Sequence, residues 1–178
     1  MNILGIETAT NVLGVALTED RRLITEIRLN FKKAHAEKVI GSIETVLKEA
    51  GITLTDLDAV AVSIGPGSFT GLRIGLSTVK GLAFANDLPL AAVNTLDSLA
   101  SNAMLWRGQI CAVIHAQADE AYAALYRSNH FRQERIGDYE LLDLNEIRDF
   151  IKEKTLLLHS GVKEIGRYLS AADNGLIT

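Results

Sequence analysis

The chain has 178 residues, of which 48% are hydrophobic and 22% charged, with 2 prolines and 14 glycines. That balance excludes a mostly disordered chain and the collagen-like and low-complexity classes, and the length suffices for a full core. The net charge is −4 and neither half is basic, which argues against autonomous nucleic-acid binding. The densest basic cluster, Arg21, Arg22, Arg28, Lys32, Lys33 and Lys38, reads as a solvated surface. One cysteine, Cys111, permits no internal disulfide and no thiolate zinc site. The early charge at Glu7 speaks against a signal peptide, and no apolar run nears the ~18 residues of a membrane span. The expectation is a cytoplasmic protein away from membranes.

In chain order, Asn2–Thr8, Val12–Leu17 and Arg22–Leu29 read as three strands joined by short turns, an antiparallel meander. A helix is expected over Ala34–Ala50, with Val39, Ile40, Ile43, Val46, Leu47 and Ala50 on one arc and Gly51 as its C′ residue. Ala59–Ile64 is a continuous apolar run, as in a strand buried on both faces. The loop Gly65-Pro66-Gly67-Ser68-Phe69-Thr70-Gly71 then opens a helix reaching about Asn86. Leu90–Val93 reads as a strand and Leu96–Trp106 as a helix with Thr95 as N-cap. Ile110–Ala116 and Tyr122–Tyr126 read as hairpin strands, Leu144–Lys152 as a helix, Leu156–His159 as a strand and Val162–Leu169 as a short helix. The order of elements repeats. At an offset of 108, Ile6 falls on Ile114, Ala16 on Ala124, Leu17 on Leu125 and Glu26 on Glu134. The resulting expectation is an α/β protein of two similar lobes, 1–106 and 107–178, the second abbreviated, on the two-lobed actin-like ATPase plan with internal duplication.

The glycine-rich loop admits two readings. Gly65, Gly67 and Arg73 at a helix start could cradle a phosphate, yet the spacing fits neither a P-loop nor a dinucleotide fingerprint. The other reading is a tight turn that lets a helix pack closely on a strand. The following helix is apolar or small nearly all round, with only a narrow wedge at Arg73 and Lys80 strongly polar. Such a helix is buried on more than one side, either within one domain or against a partner chain, and the partner is the reading taken forward. Glu7, Thr8 and Thr10 supply an acid and two hydroxyls at the first hairpin, but the equivalent His115–Ala118 stretch lacks an acid. ATP hydrolysis needs carboxylates near the phosphates, so it is not expected. His35, His115, His130 and His159 form no metal motif. Cys111 and His115, four apart on one strand, are separated by ~13 Å, too far for a nucleophile–base pair. Ser68 lacks the frame of a nucleophile elbow. Asp119 and Glu120 read as solvated charge at a hairpin tip.

The string Ile64-Gly65-Pro66-Gly67-Ser68-Phe69-Thr70-Gly71-Leu72-Arg73-Ile74-Gly75 resembles the signature of the TsaB (YeaZ) family. Gly5-Ile6-Glu7-Thr8, Lys33-Ala34-His35-Ala36-Glu37 and Asp119–Tyr126 are similar to its other motifs. The resemblance implies a non-catalytic dimerisation subunit of the bacterial machinery that forms N6-threonylcarbamoyladenosine in tRNA. Its implied partners are a TsaD-like catalytic subunit, a TsaE-like ATPase and, when alone, a second copy. ATP and metal are expected on the partners, with no cofactor here and tRNA met only through the complex. The implied interface lies on the two helices, at Val39, Ile43, Leu72, Ile74, Gly75, Leu76, Val79 and Gly81. Glu7, Thr8, Thr10, Gly65, Gly67 and Arg73 would form a vestigial phosphate site. The family usually begins Asp-Thr-Ser where Glu7-Thr8-Ala9 stands, which weakens that site. The alternative is an actin-like-fold ATPase or kinase, or a glycoprotease-like peptidase, acting alone.

Overall fold

A computed structural model describes residues 1–30, 36–130 and 132–160. The chain divides into two compact units, 1–95 and 96–178. The division falls earlier than the expected 106/107 boundary, because Leu96 and Ala100 are buried with Ile110, Ala112, Ile114, Ala124 and Tyr126 in a core of the second unit.

In the first unit, β1 (Asn2–Glu7), β2 (Val12–Glu19) and β3 (Arg22–Asn30) form the expected antiparallel meander. β4 (Ala59–Ser63) adds in parallel to β1, and β5 (Leu90–Val93) in parallel to β4, giving the order β3-β2-β1-β4-β5. Leu4 and Ile6 of β1, Leu13, Val15 and Leu17 of β2, and Val60 and Val62 of β4 alternate into one core, as the two-residue side-chain period of strands requires. Two helices, α1 (Ala36–Ala50) and α2 (Phe69–Asn86), supply Val39, Ile43, Val46, Leu47 and Val79 to that same core. α1 ends as the sequence indicated. Gly51 sits at φ +69°, its N–H donates to Lys48 O and the Ile52 N–H donates to Leu47 O, the paired bonds of a Schellman cap.

The second unit repeats the plan. β6 (Arg107–His115), β7 (Glu120–Asn129) and β8 (Gln133–Asp143) form an antiparallel meander, and β9 (Thr155–Ser160) pairs in parallel with β6, in the order β8-β7-β6-β9. The hairpin is one residue shorter, since Glu7 faces Gly14 whereas His115 faces Ala121. An offset of 108 that matches β1 to β6 therefore slips by one on β2 and β7. The Ala16–Ala124 and Leu17–Leu125 identities are coincidences of spelling.

Three elements differ from expectation. β8 reads as no strand in the sequence, because nearly all of it is exposed and its residues do not alternate. It is held by the ladder to β7, by Gln133 Nε2 donating to Ala100 O (3.0 Å), and by Tyr139 Oη donating to Asp97 (2.8 Å). α3 spans Thr95–Ser101 rather than reaching Trp106. Ser101 Oγ and Asn102 Nδ2 donate to the Ser98 carbonyl, so side chains occupy an acceptor that the next helical turn would need. Thr95 is not a cap: its N–H donates to Gly65 O, and its buried Oγ1 has no partner among the described residues. The helix expected over Leu144–Lys152 is a 3-10 turn, Leu144–Glu146, running into α4 (Ile147–Phe150). The helix expected over Val162–Leu169, the first residues of the one expected from Ala34, and the Lys33–His35 part of its motif lie outside the described residues.

Candidate functional site

The loop after β4 and the first turns of α2 are packed on the β1–β2 turn. A β-carbon at Gly67 would lie 2.3 Å from Ala9 O, one at Gly71 would lie 2.0 Å from Thr8 O, and one at Gly75 would lie 2.2 Å from Thr8 Oγ1. Real side chains do not tolerate such separations, so the three positions, spaced by four, form a ridge that only glycine can build against that turn. The Ser68 N–H donates to Ala9 O at 2.6 Å, and Ser68 Oγ caps α2 by accepting from the Gly71 N–H at 3.2 Å. Two of the N–H groups at this helix start, those of Ser68 and Gly71, are thus engaged within the chain, as the tight-packing reading of the loop requires.

Glu7 and Thr10 serve the same turn. The Ala9 N–H donates to the Glu7 carboxylate, and Thr10 Oγ1 accepts from the Val12 N–H at 3.2 Å. Burial pushes the Glu7 carboxyl above the usual glutamate range, against opposing hydrogen bonds from Ala9, Ser63 and Thr10. Thr8 is buried with its Oγ1 unpartnered among the described residues. The structure thus gathers Glu7, Thr8, Thr10 and Gly67 at one turn. Arg73 instead stacks on Phe69, its guanidinium carbon 3.8 Å from the ring centre. In the second unit, His115, the last residue of β6, also turns on its own hairpin, with Nε2 2.9 Å from Ala118 O.

Residues expected at a partner interface are divided by burial. Val39, Ile43, Gly75 and Val79 are buried in the first unit's own core, and Ile74 and Leu76 pack against it. Val39, Ile43, Gly75 and Val79 are corrected to buried positions of the first unit, because the apolar arc that periodicity identified faces the sheet, whereas Ile74 and Leu76 are only partly covered. Leu72 is partly buried, and Gly81 lies open with nothing within 4 Å of a β-carbon there. The free face of α2 is the wedge that held Arg73 and Lys80. Phe69, Lys80, Arg73, Phe84 and Ser77 fall there within an arc of about 80°. Phe69 is 67% exposed and Phe84 93%. Both aromatics are legible in the sequence, since each stands four residues from one of the two cations. Phe84 also borders an open depression lined by Lys80, Gly81, Asp87, Leu88 and Leu90. Ile40 on α1 is half-exposed.

Among the described residues, no group of three or more His, Cys, Asp or Glu side chains is placed to hold a metal ion, and no helix is long and apolar enough to cross a membrane. Cys111 is buried, and burial pushes its thiol up to about 12, which removes it as a nucleophile at neutral pH.

Residues 26–150 match the family model described as TsaD, tRNA N6-adenosine threonylcarbamoyltransferase. The Bacillus subtilis (strain 168) tRNA threonylcarbamoyladenosine biosynthesis protein TsaB is 32% identical over 154 residues, covering 86% of this chain and 67% of that protein. The crystallised YeaZ of Pseudomonas aeruginosa superposes with a TM-score of 0.83 at 29% identity, over 93% of this chain and 79% of the other. Component A of Acidaminococcus fermentans (R)-2-hydroxyglutaryl-CoA dehydratase shares the fold alone, with a TM-score of 0.56 at 10% identity over 100% of this chain and 91% of the other. Two sheets of one strand order within a chain are the duplicated actin-like plan expected from the sequence. With its glycine-keyed α2 at the signature string and these relatives over most of its length, the chain belongs to the TsaB (YeaZ) family.

Proposed function

We propose that this chain is a non-catalytic dimerisation subunit in the formation of N6-threonylcarbamoyladenosine in tRNA. It pairs through the free face of α2 with a TsaD-like catalytic subunit, and with a second copy when that subunit is absent. A TsaE-like ATPase joins the assembly, ATP and metal sit on the partner subunits, tRNA is met only through the complex, and the setting is cytoplasmic. One observation carries the reading: Phe84, on a helix whose opposite face packs into its own unit through Gly71, Gly75, Val79 and Ala83, is 93% exposed on the same face as Phe69, Arg73 and Lys80. A stripe of two aromatics with two cations has the composition of an interface hot spot. The internally satisfied first hairpin supports an accessory rather than an ATP-hydrolysing role.

A pull-down and a titration against the TsaD of the same organism test this. Phe84→Glu should leave the thermal midpoint unchanged and weaken association by roughly 30-fold, the cost of losing one ~2 kcal/mol hot spot. Val79→Glu should unfold the chain. Association of Phe84→Glu equal to that of the unaltered chain overturns the surface, and magnesium-dependent ATP turnover by the chain alone overturns the non-catalytic role.

A further inference from the structure

The residue that ends β1 has a consequence for α2 through contacts within one unit. Ala9 sits between two hydrogen bonds: its N–H donates to the Glu7 carboxylate, and its carbonyl accepts from the Ser68 N–H at 2.6 Å. The same two-residue stretch, Thr8-Ala9, is the surface into which the glycine ridge is keyed: an added β-carbon would lie 2.3 Å from Ala9 O at Gly67, 2.0 Å from Thr8 O at Gly71 and 2.2 Å from the Thr8 side-chain Oγ1 at Gly75. A ridge whose first two positions are keyed this closely to backbone oxygens follows them. Thr8 adds no side-chain hydrogen bond of its own, since its Oγ1 is unpartnered among the described residues. Its N–H reaches Ser63 Oγ only at 3.4 Å.

We propose that Glu7 is a positioning residue for the docking helix: by holding the Ala9 N–H it fixes the turn on which α2 is seated, and so sets the pose of the Phe69–Phe84 face. The work belongs to the acceptor oxygen rather than to its charge, because the bond that matters is to a backbone N–H and, among the described residues, no cationic side chain contributes to the Glu7 environment. A neutral acceptor serves as well, and so does a shorter carboxylate, since an aspartate also accepts from the N–H two residues on; a side chain with no acceptor does not. This proposal rests on α2 being the docking face, and its test separates the two.

The full chain is compared with Glu7→Gln, Glu7→Asp and Glu7→Ala by two readouts: hydrogen exchange at the Ser68 amide, and the dissociation constant of the self-association or of the complex with TsaD. Glu7→Gln and Glu7→Asp should keep both within twofold of the unaltered chain. Glu7→Ala should speed Ser68 exchange and weaken association by tenfold or more. If Glu7→Ala fails to fold, Glu7→Met, which keeps the length and removes the acceptor, decides. Charge dependence, with Asp preserved and Gln impaired, overturns the proposal, as do an acceptor-free variant indistinguishable from the unaltered chain and faster Ser68 exchange with no change in association. An unaltered chain that associates with neither itself nor TsaD refutes the docking face instead, and the Ser68 exchange then reports on the seating of α2 by itself.

Discussion

Two glycine-to-alanine substitutions in one helix should act in opposite directions. At Gly71 the added β-carbon would lie 2.0 Å from Thr8 O and 3.2 Å from Thr8 C. A carbon–oxygen contact relaxes at about 3.3 Å, so helix and turn must separate by roughly 1.3 Å. Both sides are backbone, and no rotamer relieves the clash. Overpacking of this kind costs about 1–3 kcal/mol or more, and a gap this large between backbone atoms belongs at the upper end, ~3 kcal/mol. The gain in helix propensity returns about 1 kcal/mol. The net loss of about 2 kcal/mol should lower Tm by roughly 4–8 °C for a chain of this size. At Gly81 nothing lies within 4 Å. Only the propensity term remains there, and Gly81→Ala should raise Tm by about 2–4 °C. Far-UV circular dichroism melts at low protein concentration give the comparison without a contribution from association. Gly71→Ala melting at or above the unaltered chain would refute the keyed-ridge account, whatever Gly81→Ala does.

Glu7 makes a pH prediction. Its folded-state carboxyl lies above the ordinary glutamate value of 4.5. The folded chain therefore takes up that proton more readily than the unfolded one, and this group's contribution falls as pH rises from about that value. The stability difference between the unaltered chain and Glu7→Gln, from urea titrations, should decline from pH 4.5 toward neutrality and should not grow; exposed carboxylates such as Asp20 and Asp56 are common to both chains and cancel. The Tyr126 phenol donates to Asp97 at 2.7 Å, and burial and that carboxylate together hold it protonated. Tyr126→Phe should cost about 1.5–3 kcal/mol, the range for hydrogen bonds to charged groups. Tyr139→Phe, at a more exposed ring bonded to the same carboxylate, should cost less in the same denaturation assay. Cys111, 0% exposed with its thiol pushed up to about 12, should resist iodoacetamide in the native chain at pH 8 and react once denaturant unfolds the second unit.

Where hydrophobic pattern and packing demand coincide, the sequence is transparent. Leu4, Ile6, Leu13, Val15 and Leu17 alternate because one sheet face is covered by helices, and Gly51 terminates α1 because a left-handed residue is needed there. Where stability comes from backbone pairing, the pattern is mute. β8 is a ladder of mostly exposed residues whose anchors, Asp97 and the Ala100 carbonyl, lie far away in the chain. The interface assignment shows a different limit. Periodicity finds an apolar arc but not the number of surfaces that cover it, so Val39, Ile43 and Val79 read as partner contacts when they are core. Amphipathicity counted by charge also leaves Phe69 and Phe84 unassigned, although they stand on the solvent side with Arg73 and Lys80.

The glycine string shows how one spelling can serve two geometries. A phosphate loop and a packing key both require missing β-carbons, because each lets an oxygen approach closely, in one case a ligand's and in the other Ala9 O or Thr8 O. They differ in direction. A phosphate loop places its glycines before the helix, so that successive N–H groups converge on one point ahead of the first turn. A key runs its glycines along the helix at intervals of four, so that they form one ridge on its side. Gly67, Gly71 and Gly75 keep that interval into the second turn of α2, where a bound phosphate could gain nothing from Gly75. The interval was the discriminating feature, visible in the string itself. It also explains why Glu7 bears on the helix: a ridge seated on Thr8-Ala9 inherits its position from whatever fixes that turn, and the Ala9 N–H is fixed by the Glu7 carboxylate.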